Sequence, residues 1–346
     1  MRKKELGIYV HIPFCAKKCY YCDFISFSNK QERVNDYIEA LKKEIEYIRI
    51  DALDSMQNQE ITTIYIGGGT PSFIEAEYIE TIIKTIKENF VVNEETEITI
   101  EVNPGTVTKE KLQVYRRSGI NRLSIGLQST DNSLLKQIGR IHTYEQFIDT
   151  YNLAREVGFK NINVDLMLAL PNQTIKVLED SVQKVINLNP EHISVYSLIL
   201  EEGTKLCDLV KNKELNLLDD ELERDMYWKV KEKLEQSGYN HYEISNYAKY
   251  GYESKHNLNC WRQEEYIGIG LAAHSYVDGV RYSNTEDIEE YINTYKLRKN
   301  INITIHEKQN SIDKQKEYMI LGFRKIEGVK ISDFKNKFTR KSIIYI

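Results

Sequence analysis

Three of the five cysteines of this chain lie close together near its start, in the run His11-Ile12-Pro13-Phe14-Cys15-Ala16-Lys17-Lys18-Cys19-Tyr20-Tyr21-Cys22-Asp23-Phe24. The spacing C-x3-C-x2-C offers three thiolates from one short loop, and thiolate is the usual protein ligand of iron–sulfur clusters. Three thiolates hold three irons of a four-iron cubane and leave the last iron without a protein ligand. An open iron takes a chelating small molecule, so the motif predicts a site for chemistry rather than an electron wire. A zinc knuckle, or thiols placed by chance, is the competing reading of the same residues. Lys17 and Lys18 lie inside the loop, where they either offset the charge of a reduced cluster or form a solvated face.

The elements that must carry this loop are written in the periodicity. Ile8–Ile12 reads as a first strand, followed by a helix in which Val34, Tyr37, Ile38, Leu41, Ile45 and Ile48 keep the helical period. Thr62–Ile66 runs into Gly67-Gly68-Gly69, and Ile79, Ile82, Ile83 and Ile86 mark the next helix. Glu97–Glu101 ends at the turn Asn103-Pro104-Gly105, ahead of a helix over Lys109–Ser118. The strand Arg122–Ile125 precedes a helix carrying Phe147, Tyr151 and Ala154; Asn161–Leu166 leads through Leu170-Pro171 to a helix around Val177–Ile186. His192–Ser197 is the sixth strand. Six strand–helix units in series predict a parallel α/β sheet, too short for a complete eight-unit barrel. Periodicity alone leaves a partial barrel and a flat doubly wound sheet both open. The polar motifs fall just after strand C-termini, where such folds place their sites. Beyond about residue 200 come a charged helix over Asp219–Ser237, a tyrosine-rich stretch, the glycine-punctuated segment Gly268–Gly279 and a lysine-rich tail.

Charged residues make up 29% and hydrophobic ones 41% of the 346 residues, and the formal net charge is −5. This balance is ordinary for a soluble globular protein and disfavours nucleic acid as a partner, since no long basic run neutralises phosphate. Met1-Arg2-Lys3-Lys4 resembles a signal-peptide n-region, but His11 and Pro13 interrupt the apolar run after it, so a strand is expected there. No apolar run approaches the roughly 18 residues of a transmembrane helix. An odd cysteine count with three thiols claimed by metal fits a reducing cytoplasm better than a disulfide framework.

Together these blocks resemble the radical S-adenosylmethionine (SAM) superfamily, and within it the branch of the oxygen-independent coproporphyrinogen III oxidases and the heme chaperones. The matching segments are Ile8–Phe24, Gly67–Ser72, Glu101–Pro104, Arg122–Ser129, Gly139–Thr143, Asp165–Thr174, Ser194–Gly203, His256–Trp261 and Tyr266–Ser275. The resemblance implies a partial (βα)6 barrel over residues 1–205, followed by a smaller, mainly α C-terminal domain over 206–346 that stops earlier than the family usually does. It implies a [4Fe–4S] cluster on Cys15, Cys19 and Cys22 and a SAM site built from Tyr9, Tyr21, Gly68, Gly69, Thr70, Glu101, Gln128, Arg140 and Asp165. Arg140 suits the ligand's carboxylate, because guanidinium pairs bidentately with it. Asp165 and Gln128 suit ribose hydroxyls, and Glu101 suits a charged amine. Taken singly, each of these residues is equally a turn, a cap or a packing residue.

Two departures separate the branches. The oxidases carry a further cysteine two positions after the third, where this chain has Phe24, and they carry an N-terminal extension for which Cys15 leaves no room. Both match the heme chaperones. The chaperone-type block His-Asn-x-x-Tyr-Trp reads His256-Asn257-Leu258-Asn259-Cys260-Trp261, with cysteine in place of tyrosine. By this resemblance His256 and Trp261 are candidate heme contacts, against a purely structural reading of both; His11 and His274 are further candidates. The implied function is heme binding and transfer to an acceptor protein, with an electron donor such as flavodoxin or ferredoxin. The alternative is oxidative decarboxylation of coproporphyrinogen III in porphyrin biosynthesis.

Overall fold

Strands β1 (Glu5–Ile12), β2 (Glu60–Gly68), β3 (Val92–Val102), β4 (Arg122–Gln128), β5 (Ile162–Leu168) and β6 (His192–Ser197) lie side by side in chain order, every neighbouring pair parallel. They come from a computed structural model that describes residues 5–51, 60–297 and 303–338; the charged start Met1–Lys4 and the tail after Phe338 lie outside the described residues. The face packed under the crossover helices is aliphatic, with Ile64, Ile66, Ile98, Ile100, Ile125, Val164 and Ile193 in the core, while the opposite face carries the polar residues that line the cavity. In β4 every residue from Arg122 to Leu127 is buried.

Helices Val34–Asp51, Ala76–Asn89, Lys109–Ser118, Tyr144–Glu156 and Ile175–Leu188 return the chain between successive strands. Thr108, Thr143 and Thr174 start three of them by accepting a backbone N–H of the first turn, which satisfies donors that the helix itself cannot pair. Residues from all of β2 to β6, together with the loop after β1, line a single cavity, so the six strands curve into a partial barrel instead of lying flat. Among the described residues no helix is long and apolar enough to cross a membrane.

The C-terminal part is smaller and rich in helix, with Asp220–Gln236, Ile288–Lys296 and Ser311–Gly322 as its main helices. It also supplies six strands, β7 (Asn240–Glu243), β8 (Asn246–Ala248), β9 (Glu265–Ile269), β10 (His274–Val277), β11 (Val280–Asn284) and β12 (Ile303–Lys308), which join the same sheet. β8 runs antiparallel to β6 at one edge; β9 runs parallel to β1 at the other and continues through β10, β11 and β12. These strands are three to six residues long and several are broken by glycine or tight turns. Such short runs carry no readable period, which is why the sequence shows only a tyrosine-rich stretch there.

One buried carboxylate locks this extension to the barrel. Glu44, on the first helix, accepts from Gly270 N at 2.8 Å, Asn284 Nδ2 at 2.6 Å and Tyr291 Oη at 2.5 Å. Beside it, Tyr37 Oη donates to His11 O at 2.7 Å and accepts from Leu271 N at 2.9 Å. These buried polar atoms are thus paired, as burial requires.

Candidate cluster and cofactor site

The cysteine loop is sewn to the barrel rim by its backbone. Cys15 N donates to Phe27 O at 2.9 Å and Phe27 N to Pro13 O at 2.7 Å, closing the loop on itself. Tyr20 N donates to Ile138 O at 3.0 Å, and Leu206 N to Tyr20 O at 2.7 Å, tying its far side to two other segments. The His11 ring hydrogen-bonds Tyr9 Oη and Ile25 O, each at 2.9 Å.

The glycine run after β2 lies against this loop. Gly69 N donates to Ile12 O and Thr70 N to Phe14 O, each at 2.9 Å. A Cβ on Gly69 would sit 3.0 Å from Cys15 Sγ and 3.0 Å from two carbonyl oxygens; one on Gly68, whose φ is 110°, would meet the His11 ring at 2.6 Å. The run is therefore glycine because backbone must pass where no side chain fits. Thr70 Oγ1 donates to Cys15 Sγ at 3.4 Å.

A cavity of about 430 Å³ opens beside the loop. Cys15, Cys19, Cys22, Tyr21, Gly68, Gly69, Thr70, Glu101, Gln128, Arg140 and Asp165 all line it. Tyr9 does not: it stands behind the wall, its ring stacked on Tyr65 at 6.3 Å. His256 is one layer further back. It is buried, with Nδ1 bonded to Thr63 Oγ1 at 2.8 Å and its ring stacked on Tyr65 at 5.2 Å. Burial and the charge of Arg122 push its pKa down to about 4. Trp261 lies under the Arg324 guanidinium at 4.2 Å, away from the cavity. Sequence reasoning missed Tyr65, Asn103, Ser124, Met167 and Tyr196 in the lining. Their signal is the two-residue period of the strands: Ser124 and Gln128 flank Gly126, and Met167 follows Asp165, on one face.

The polar groups divide into an anionic and a cationic side. Glu101 Oε1 accepts from Tyr65 Oη at 2.9 Å and Oε2 from Gly68 N at 3.1 Å. Burial, with Asp165 nearby, raises its pKa to about 7, so the carboxylate lacks a cation. Asp165 accepts from Asn163 Nδ2 at 2.7 Å and Ser124 Oγ at 3.1 Å, and burial raises its pKa as well. Opposite, Arg140 reaches Asn103 Oδ1 at 2.8 Å, the Gly126 carbonyl, and Cys19 Sγ at 3.6 Å. Its Nε is buried with no hydrogen-bond partner among the described residues. Gln128 sits at φ 70° where the β4–β5 register shifts, a conformation that side chains adopt only under constraint.

These residues fit a four-iron cluster with an attached zwitterionic ligand. The three thiols face one cavity, yet among the described residues no three His, Cys, Asp or Glu groups converge as ligands of one metal ion. Thiolates that each hold a separate iron of one cluster need not converge on a single point. Burial raises the Cys15 thiol and pushes Cys22 up to about 11, so metal binding would have to release their protons. The unpaired guanidinium nitrogen and the raised carboxylate are the complements of a carboxylate and an ammonium.

A sequence model described as the radical SAM superfamily matches residues 9–185. The chain is 39% identical to the heme chaperone HemW of Lactococcus lactis, the match covering 98% of this chain and 86% of that protein. It is 38% identical to the heme chaperone HemW of Bacillus subtilis, over 96% of this chain and 86% of that one. Its fold matches the coproporphyrinogen III oxidase of Escherichia coli, described as a radical SAM enzyme, with a TM-score of 0.82 over 97% of this chain and 79% of that chain, at 24% identity. Sequence, fold and cavity agree: the chain belongs to the radical SAM superfamily and, within it, to the family of the heme chaperone HemW.

Proposed function

We propose that the protein binds heme and hands it to an acceptor protein, carrying a [4Fe–4S] cluster on Cys15, Cys19 and Cys22 with exchangeable SAM in the adjoining cavity. The observation that carries this reading is identity of 36–39% to three bacterial proteins named heme chaperones, over 96–98% of the chain. When bound, the cluster would supply an electron and an open iron for SAM. The protein's own part is placement. Arg140 offers its unpaired Nε to the ligand carboxylate, Glu101 its carboxylate to the amine, and Asp165 and Gln128 their polar atoms to the ribose. Tyr21, Gly68, Gly69 and Thr70 close the wall and exclude water. Lys17 and Lys18 are exposed at the rim of the cavity, where an electron donor such as flavodoxin or ferredoxin would approach the cluster loop. The five cysteines are free thiols, which fits a reducing compartment such as the cytoplasm.

Phe24, 58% exposed at the rim of the cavity, weighs against the oxidase reading, which asks for cysteine there. Paired assays on anaerobically reconstituted protein separate the two. Heme titration gives a saturable Soret shift, and coproporphyrinogen III with SAM and reductant is left unconverted. Robust protoporphyrinogen formation overturns the chaperone reading.

A further inference from the structure

The chain has seven histidines, all within the described residues, and the structure sorts them sharply. Five are buried, each with at least one ring nitrogen engaged. His11 bonds Tyr9 and Ile25, His142 bonds Leu127 O, His192 bonds Asn163 and Tyr242, His241 bonds Ile244 O, and His256 bonds Thr63. Only His274 and His306 are exposed, and they are neighbours, their rings stacked at 5.0 Å with 18° between planes.

Strand register fixes where this pair faces. Tyr9 pairs with Gly268 and Gly7 with Tyr266; Tyr266 pairs with Tyr276, two residues along from His274. Side chains alternate along a strand, so His274 shares its face with Tyr266 and Tyr9, the inner face that carries Tyr65 to the cavity wall. His274 is the first residue of β10, beside the end of β9, and therefore lies at the same end of the sheet as the cysteine and glycine loops. His306 comes from β12 at the point where the register with β11 shifts, and Nε2 is held by Ser283 Oγ at 2.8 Å. The ring nitrogens of His274 have no hydrogen-bond partner among the described residues.

We propose that His274 is the imidazole that ligates heme iron, presented by the sheet extension beside the barrel with His306 stacked against it to hold its ring. A ligand for an incoming porphyrin must be reachable and must offer a free nitrogen lone pair. His274 meets both conditions; the buried five, whatever ring nitrogen each leaves free, would have to leave the core to be reached. This inference rests on the heme reading above and assigns its iron ligand.

The test is heme titration of anaerobically reconstituted wild type, His274→Ala, His274→Gln, His306→Gln and His256→Asn, read as difference spectra against cluster-loaded protein. Cluster content reports that each variant is folded. Both His274 variants are expected to weaken heme binding about tenfold or more and to lose the imidazole-ligated spectrum, which added imidazole restores. His306→Gln shows a smaller loss, and His256→Asn binds heme as wild type does. Wild-type affinity and spectrum in both His274 variants overturn the assignment while the heme reading stands. Absence of saturable binding by wild type overturns the heme reading itself.

Discussion

Gly69 and Cys15 are in such close apposition that a Cβ on the glycine would stand 3.0 Å from the cysteine Sγ, with the carbonyls of Ile12 and Phe14 equally near. The cluster loop and the glycine run are therefore one unit. Gly69→Ala is expected to push the loop off the rim, lowering reconstituted iron content and the iron–sulfur absorbance while the barrel stays folded. Full cluster loading in that variant would show that the two segments are independent.

Glu101 links the cavity to pH. Its carboxyl titrates near 7 in the folded, ligand-free protein, against an ordinary value of 4.5. The folded state holds its proton more tightly than the unfolded chain does. Stability from this group is thus full below about 4.5 and is lost as pH rises through 7. Glu101→Gln removes the buried charge, so ligand-free protein gains up to about 3 kcal/mol at pH 8 and little at pH 4.5. The same change weakens SAM binding, because the carboxylate that meets the amine is gone. Melting curves at the two pH values, with SAM titrations beside them, check both halves.

His256 has a different duty. Its bond to Thr63 and its stack on Tyr65 lie between the strand that carries the glycine run and the helix Lys255–Trp261. His256→Ala leaves the Thr63 hydroxyl unpaired and a void beside Tyr65, costing on the order of 2–4 kcal/mol. Denaturant unfolding measures this; a change below about 0.5 kcal/mol would deny the residue its structural role.

Glu44 anchors three donors from the turn after β9, from β11 and from the helix Ile288–Lys296. Glu44→Ala strands Gly270 N and the Tyr291 hydroxyl in the core and leaves Asn284 Nδ2 only its bond to Gly270 O, at an expected cost of about 3–5 kcal/mol. Loss of the strand extension should be visible as proteolysis between residues 265 and 296 before the barrel is cut.

How legible each element is in the sequence depends on how strongly it repeats. The six parallel strands are buried on both faces and read as β-branched runs; His192–Ser197 and Lys109–Ser118 match the structure residue for residue. The strands β7 to β12 are illegible, because runs of three to six residues show no alternation strong enough to separate them from loops. Within the cavity, the cysteines, glycines and charged groups announce themselves by type. Tyr65, Ser124 and Tyr196 do not, since a tyrosine or serine on a strand has many duties and only curvature decides which way it faces. The histidines illustrate the limit best. His256 sits in a motif and is buried; His306 sits in no motif and is exposed beside His274.

Everything attributed to the cavity depends on three thiolates holding three irons and leaving one iron to a small molecule. Mössbauer spectroscopy of the iron-57 protein, reconstituted without oxygen, tests this directly. A four-iron cubane is expected in which one iron changes its isomer shift when SAM is added, and Cys19→Ala is expected to lose the signal. Zinc bound in place of iron, or four irons indifferent to SAM, would contradict it.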